Sequence, residues 1–163
     1  MHEQVSQFKE VSVKQKKGFE SLLQYLGDQK NLLASTPAVS PSYGWVTSRF
    51  GYRKSPFTGL KEFHKGLDIA SKTGTPVIAT GDGSVAFTGI DGFLGNAMTI
   101  DHGHGMVTRY AHLHKFLKKE GDTVRRGDVI AQVGNTGRST GPHLHYDIRM
   151  NGISVNPETY ILN

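Results

Sequence analysis

The chain has 163 residues, 36% of them hydrophobic and 20% charged, with 20 glycines, no cysteine and a formal net charge of +5. That length suits one domain with a proper core plus a smaller appendage, and the missing cysteine excludes disulfides and cysteine-ligated structural zinc. The basic balance suits anionic polymers, membranes or nucleic acid as partners and equally a plain solvated surface, but no arginine-rich run or stacked-aromatic pattern supports nucleic acid.

Residues 1–34 read as a helical segment. Phe19, Leu22, Leu23 and Leu26 follow the i, i+3, i+4, i+7 spacing of an amphipathic helix, and Leu33 continues it a heptad later. Val5 and Phe8 fit the same stripe, which Ser12 and Gln15 interrupt. Gly18 and Gly27 each cost about 1 kcal/mol inside a helix, so breaks are expected near them. The pattern suits the end of a longer helical or coiled-coil region, or a helix packed on its own domain. The start, Met1-His2-Glu3-Gln4, is not a signal peptide, and no apolar run approaches the roughly 20 residues of a membrane span.

Residues 35–43, with Pro37 and Pro41 among small polar residues, read as a linker. From residue 44 the periodicity changes. β-rich runs are expected at 44–50, 66–70, 76–80, 83–90, 97–101, 106–112, 128–133 and 144–150, each bounded by Gly, Pro, Asn or Asp. Lys115–Lys119 reads as one short helical turn. No helical pattern of ordinary length separates the runs, so a mainly β fold with an antiparallel sheet or sandwich is expected over 44–163. Gly121-Asp122-Thr123-Val124 and Gly127-Asp128-Val129-Ile130 repeat a Gly-Asp turn before an apolar pair, as biotinyl- or lipoyl-carrier domains do. No lysine stands at the hairpin tip that a carrier would modify.

Four residues concentrate the chemistry: His64, Asp68, His143 and His145. Side chains of an extended strand alternate with a period of two, so 64, 66 and 68 would share a face, as would 143 and 145. Gly66 puts no side chain between the first two. Two imidazoles and one carboxylate make a three-ligand set with the fourth zinc position open, and one imidazole remains over. The same residues also admit a purely structural reading, as buried histidines bonded to backbone carbonyls. Of the other histidines, His102 and His104 lie in a glycine-spaced turn and read as hydrogen-bonded there or exposed, and His114 as exposed. His112 ends an apolar-aromatic strand. The chain has no His-Glu-x-x-His sequence to supply a glutamate base, so histidines, with pKa near 6.5, would have to move the protons.

His64-x-x-x-Asp68, Tyr110-Ala111-His112-Leu113 and Gly137-Arg138-Ser139-Thr140-Gly141-Pro142-His143-Leu144-His145 together resemble the M23 peptidases, the LytM/lysostaphin-type zinc endopeptidases of bacterial cell walls. Ser48-Arg49-Phe50-Gly51-Tyr52-Arg53, Gly74-Thr75-Pro76-Val77 and residues 121–133 add to the likeness, which spans roughly residues 44–160. The resemblance implies one zinc ion per domain on His64, Asp68 and His145. It implies catalytic roles for His112 and His143, acting on the attacking water and on the oxyanion formed at the scissile amide.

The fold so implied is a largely antiparallel β core with the metal at the floor of a groove, here walled by 54–63 and 135–141. The implied substrates are peptide bonds of peptidoglycan stems or cross-bridges. Some family members use a tyrosine to assist the transition state, and none stands in 54–63 to match it. Other relatives have lost ligands and act as amidase activators or binding modules, the alternative reading; this chain keeps all five positions. Action on the wall places the protein in the periplasm or outside the cell, so a precursor longer at its N-terminus is expected. The N-terminal helix would then be a cover for the groove, a self-association arm or a spacer.

Overall fold

The computed structural model describes residues 2–162, with side chains described from residue 12 onward. The chain divides into two units, residues 1–34 and 35–163. The first is one helix, α1 (His2–Ser35). It runs unbroken through Gly18 and Gly27, contrary to the breaks expected there. A Cβ at either position would meet nothing within 4 Å, and good helix formers on both sides offset a penalty of about 1 kcal/mol each. The helix stops two residues short of Pro37, whose ring disfavours helix in the residue before it. Phe19, Leu22, Leu23, Leu26 and Leu33 are exposed along it; the fit of Val5 and Phe8 to the stripe lies outside the described side chains.

The second unit is mainly β and antiparallel. Its strands are β1 (Trp45–Ser48), β2 (Gly51–Lys54), β3 (Lys61–His64), β4 (Leu67–Ala70), β5 (Pro76–Ile78), β6 (Gly83–Ile90) and β7 (Asn96–Asp101). After these come β8 (Met106–Ala111), β9 (Leu113–Phe116), β10 (Thr123–Val124), β11 (Val129–Val133), β12 (His143–Met150) and β13 (Ile153–Val155). Lys115 and Phe116 thus lie in a strand and 117–118 in bends, not in the helical turn expected for 115–119. Pairing decides there: Ala131 and Gln132 of β11 take Phe116 and Lys115 as partners.

Among the described residues the largest sheet runs β1-β4-β12-β8-β7-β6-β10, with β13 on β12. A three-stranded sheet, β5-β11-β9, and the hairpin pair β2-β3 complete the unit. The core lies between the two larger sheets. Met98, Ile100, Tyr110, Leu144, Tyr146 and Ile148 face Val77, Leu113, Ile130 and Val133 there. Alternation along β12 then sends His143, His145 and Asp147 to the opposite face. Of the linker expected at 35–43, Ser35 still belongs to α1; residues 36–43 carry no helix or named strand, yet they are tied along the second unit. Ala38 N donates to Thr80 O, Ile78 N to Pro41 O, and the Ser42 hydroxyl to Pro76 O.

Candidate metal centre and groove

Asp68 on β4 and His145 on β12 are register partners across the sheet. His64 comes from elsewhere. It ends β3, in the separate two-stranded pair, and the chain breaks at Lys65-Gly66 before β4 begins. The expectation that 64, 66 and 68 share one strand is therefore replaced by a sharper arrangement in which two sheets meet at a glycine. A Cβ on Gly66 would lie 2.5 Å from Tyr146 O and 2.7 Å from the His145 ring, so only glycine lets the turn close against β12.

Three atoms converge at this junction. His145 Nδ1 lies 2.7 Å from Asp68 Oδ1, His64 Nε2 lies 3.1 Å from the same oxygen, and the two nitrogens are 3.1 Å apart. His64 Nδ1 donates to Arg49 O at 2.9 Å. The neutral ring therefore presents a lone pair, not a proton, at Nε2. A carboxylate oxygen and lone-pair nitrogens turned on one another repel unless a cation sits among them. Ligands about 2.0–2.1 Å from a tetrahedral zinc are about 3.3 Å apart, close to the spacing here. These residues fit zinc, and all three are buried.

Asp68 also has a second partner. Its Oδ2 accepts from Arg53 Nη1 at 2.8 Å, and that guanidinium reaches Ser48 Oγ at 2.6 Å and Glu62 Oε1 at 2.9 Å. Burial raises the Asp68 pKa, but hydrogen bonds that His145 and His64 make in their protonated form outweigh it and hold the carboxyl far below the usual range. Sequence reasoning gave Arg53 no role, and only its alternation with Gly51 and the Ser48-Arg49 run hinted at one.

The two remaining imidazoles lie beside the triangle. The rings of His112 and His143 are 4.6 Å apart, and that of His112 is 6.1 Å from His145. His112 sits between β8 and β9 with a positive φ of 60°, which non-glycine residues seldom adopt. Its N–H donates to Leu94 O at 2.9 Å, and its Nδ1 donates to Thr136 O at 2.8 Å. The backbone kink thus turns the ring off the strand and leaves Nε2 available. Burial pulls its pKa down to about 4, so the ring is neutral at pH 7. His143 Nδ1 donates to Gly141 O at 2.8 Å with the Ser139 hydroxyl 3.0 Å away, which frees Nε2 in the same way.

All five residues line one groove of about 700 Å³. Its walls include Lys54, Pro56 and Phe57 on one side and Arg138–Pro142 on the other, as the sequence led one to expect, and Phe93 and Leu94, which it did not. The omitted wall is the 3₁₀ turn Gly92–Leu94, whose only sequence signal is an aromatic between glycines. Of the other histidines, His104 and His114 are exposed. His102 is buried and bonded through Nδ1 to Asp82 O and through Nε2 to Thr108 Oγ1.

A β-sandwich carrying a buried His-Asp-His triangle in an open groove defines a candidate single-metal centre. Residues 62–157 match the model of peptidase family M23, and the chain belongs to that family. It is 50% identical over 120 residues to the DD-carboxypeptidase/endopeptidase Mpg of Neisseria meningitidis, covering 74% of this chain and 28% of that protein. It is 44% identical to the peptidoglycan DD-endopeptidase ShyC of Vibrio cholerae, over 70% of this chain and 27% of that one. The chain thus spans little more than a quarter of the length of these curated relatives.

Among solved structures, a zinc-containing peptidase from Vibrio cholerae aligns with a TM-score of 0.67 at 42% identity, covering 76% of this chain and 38% of that one. A mutant catalytic domain of the prophage-encoded M23 protein EnpA from Enterococcus faecalis aligns at 0.64 and 35% identity, over 74% of this chain and 96% of that domain. No helix among the described residues is long and apolar enough to cross a membrane.

Proposed function

We propose that residues 44–163 are a zinc metalloendopeptidase domain that hydrolyses peptide bonds in peptidoglycan stem peptides or cross-links, in the periplasm or at the cell wall. The observation that carries this reading is the triangle of His64 Nε2, Asp68 Oδ1 and His145 Nδ1 with two further imidazoles within ring contact of it. The names of the relatives support the substrate class.

His64, Asp68 and His145 hold the ion, and Arg53 fixes the outer oxygen of Asp68. Zinc there supplies Lewis acidity toward a water molecule and the scissile carbonyl. His143 and His112, each with Nδ1 committed to a backbone carbonyl, present Nε2 to the groove floor. A neutral Nε2 accepts the proton that the attacking water loses and, once protonated, delivers it to the leaving amine. The second imidazole, when protonated, donates to the oxyanion that forms as the amide carbon becomes tetrahedral. The groove between Phe57 on one wall and Thr140 on the other would take the peptide.

The test joins two measurements on the same preparation: zinc content, and mass spectrometry of fragments released from purified walls of diaminopimelate and glycine-bridge types. One zinc per chain, with fragments lost on chelation and restored by zinc, supports the reading. Stoichiometric zinc with no fragment from either wall replaces it with the non-catalytic binding or amidase-activator module.

A further inference from the structure

The groove carries a cation that the chemistry above does not use. Arg138 Cζ sits 4.2 Å from the centre of the Phe57 ring and 5.5 Å from that of Phe93. These three residues come from three separate loops: the β2–β3 connection, the 3₁₀ turn and the segment leading into β12. The backbone under Arg138 is held independently of its side chain. Its N–H donates to Phe93 O at 2.8 Å, and Gly95 and Gly137 approach so closely that a Cβ on either would lie 2.4–2.5 Å from the other's nitrogen. The backbone that carries the guanidinium is therefore fixed at a loop junction beside Phe93.

Its electrostatic position is equally defined. Among the described residues no carboxylate pairs with the Arg138 side chain, whereas the two acids lining the groove are both engaged: Asp68 with His64, His145 and Arg53, and Glu62 with Arg53. The guanidinium carbon lies over the Phe57 ring, and no hydrogen bond among the described residues takes up its planar fork of N–H groups. That is the geometry that grips a planar anion through two parallel hydrogen bonds, which a lysine in the same place would not reproduce.

We infer that Arg138 is a specificity-determining residue, a receptor at the groove rim for a carboxylate on the bound peptide. The inference rests on the peptidase reading and narrows its substrate class to wall peptides with a free carboxylate near the scissile bond. Two sources share this chemistry: the terminal α-carboxylate of a stem peptide and the side-chain carboxylate of a diamino diacid within it.

Synthetic stem peptides test this in four forms: both carboxylates free, the terminal one amidated, the side-chain one amidated, and both amidated. Binding to the zinc-loaded protein is read by fluorescence anisotropy and cleavage by chromatography. Wild type should bind the free form roughly tenfold or more tightly than the doubly amidated one, as expected for a charged hydrogen-bonded pair. Arg138→Gln should level the two, and Arg138→Lys should restore only part of the difference. The single-amide arm that reproduces the loss names the source.

Equal binding of the free and doubly amidated peptides by wild type overturns the inference, as does failure to bind either. An Arg138→Gln loss that is the same for every form also overturns it, because Arg138 would then merely clasp the loops. A carboxylate preference in binding without cleavage of any peptide or wall leaves the inference standing and sinks the peptidase reading instead.

Discussion

Asp68 and His145 are opposed in register on neighbouring strands, and their facing atoms, Oδ1 and Nδ1, lie 2.7 Å apart. Sheet pairing therefore builds two corners of the candidate metal triangle, while the other oxygen of Asp68 is gripped by Arg53 at 2.8 Å. On the proposed reading, Arg53 would act on the ion through Asp68. Outer-sphere partners of this kind change metal affinity by about 10–100-fold, so Arg53→Ala should weaken zinc binding by that range while Asp68→Ala abolishes stoichiometric binding. Competition against a chromophoric chelator measures both. Unchanged affinity in Arg53→Ala would show that Asp68 needs no orienting partner.

On the proposed reading, the imidazoles of His112 and His143 would move protons without holding the ion. His112→Ala and His143→Ala should each retain one zinc per chain and lose turnover by about 10²-fold or more. Metal analysis alongside fragment release from walls separates the two effects. Full activity in His112→Ala would remove that residue from the chemistry.

Gly66→Ala should damage fold and metal site together. The new methyl would meet Tyr146 O at 2.5 Å and the His145 ring at 2.7 Å, and neither can retreat, since both belong to a paired interior strand. Overpacking of this kind costs about 1–3 kcal/mol. Thermal unfolding should show the loss, accompanied by zinc below one per chain. A variant with wild-type midpoint and full zinc would mean that β4 can shift away from β12.

The buried His102 gives a pH dependence remote from the metal residues. Burial lowers its pKa below the ordinary value, the carbonyl of Asp82 only partly opposing this, so the folded state resists protonation. The unfolded chain takes the proton near pH 6.5. Stability from this residue is thus intact above pH 6.5 and falls as the pH drops toward and through the lowered folded value. His102→Asn, which keeps a donor for Asp82 O, should narrow the gap in melting temperature between pH 7.5 and pH 5. The same gap in both proteins would rule His102 out as a source of acid sensitivity.

The sequence disclosed these features unequally, for physical reasons. Alternation along β12 places His143 and His145 on one face directly, because that strand is regular from end to end. The same reasoning applied to His64 and Asp68 brought the right residues together by the wrong route, since periodicity does not register a change of sheet at Lys65-Gly66. The segment 115–119 was misjudged because the strand character of Lys115 and Phe116 comes from pairing with β11, a contact remote in sequence. His102 shows the opposite failing: glycines on the following turn suggested exposure as readily as bonding, whereas its ring is bonded to Asp82 O and Thr108. Splitting the histidines into ligands and assisting groups rested on the family likeness, not on spacing.

The placement of His64 on a different sheet from its two companions has a mechanical consequence. A two-stranded ribbon such as β2–β3 is marginal by itself in water, and its last residue supplies one corner of the triangle. An ion bound there rivets the ribbon to the main sheet, and by mass action its binding energy becomes stability of that junction. Phe57 rides on the loop of the same ribbon, so one wall of the groove is hinged on the fastening at its floor. Amide exchange across residues 51–64 should accordingly slow when zinc is added, more than across β7 or β8; a uniform response would disconnect the wall from the rivet. On the proposed reading, the ion would set the width of the cleft as well as its reactivity.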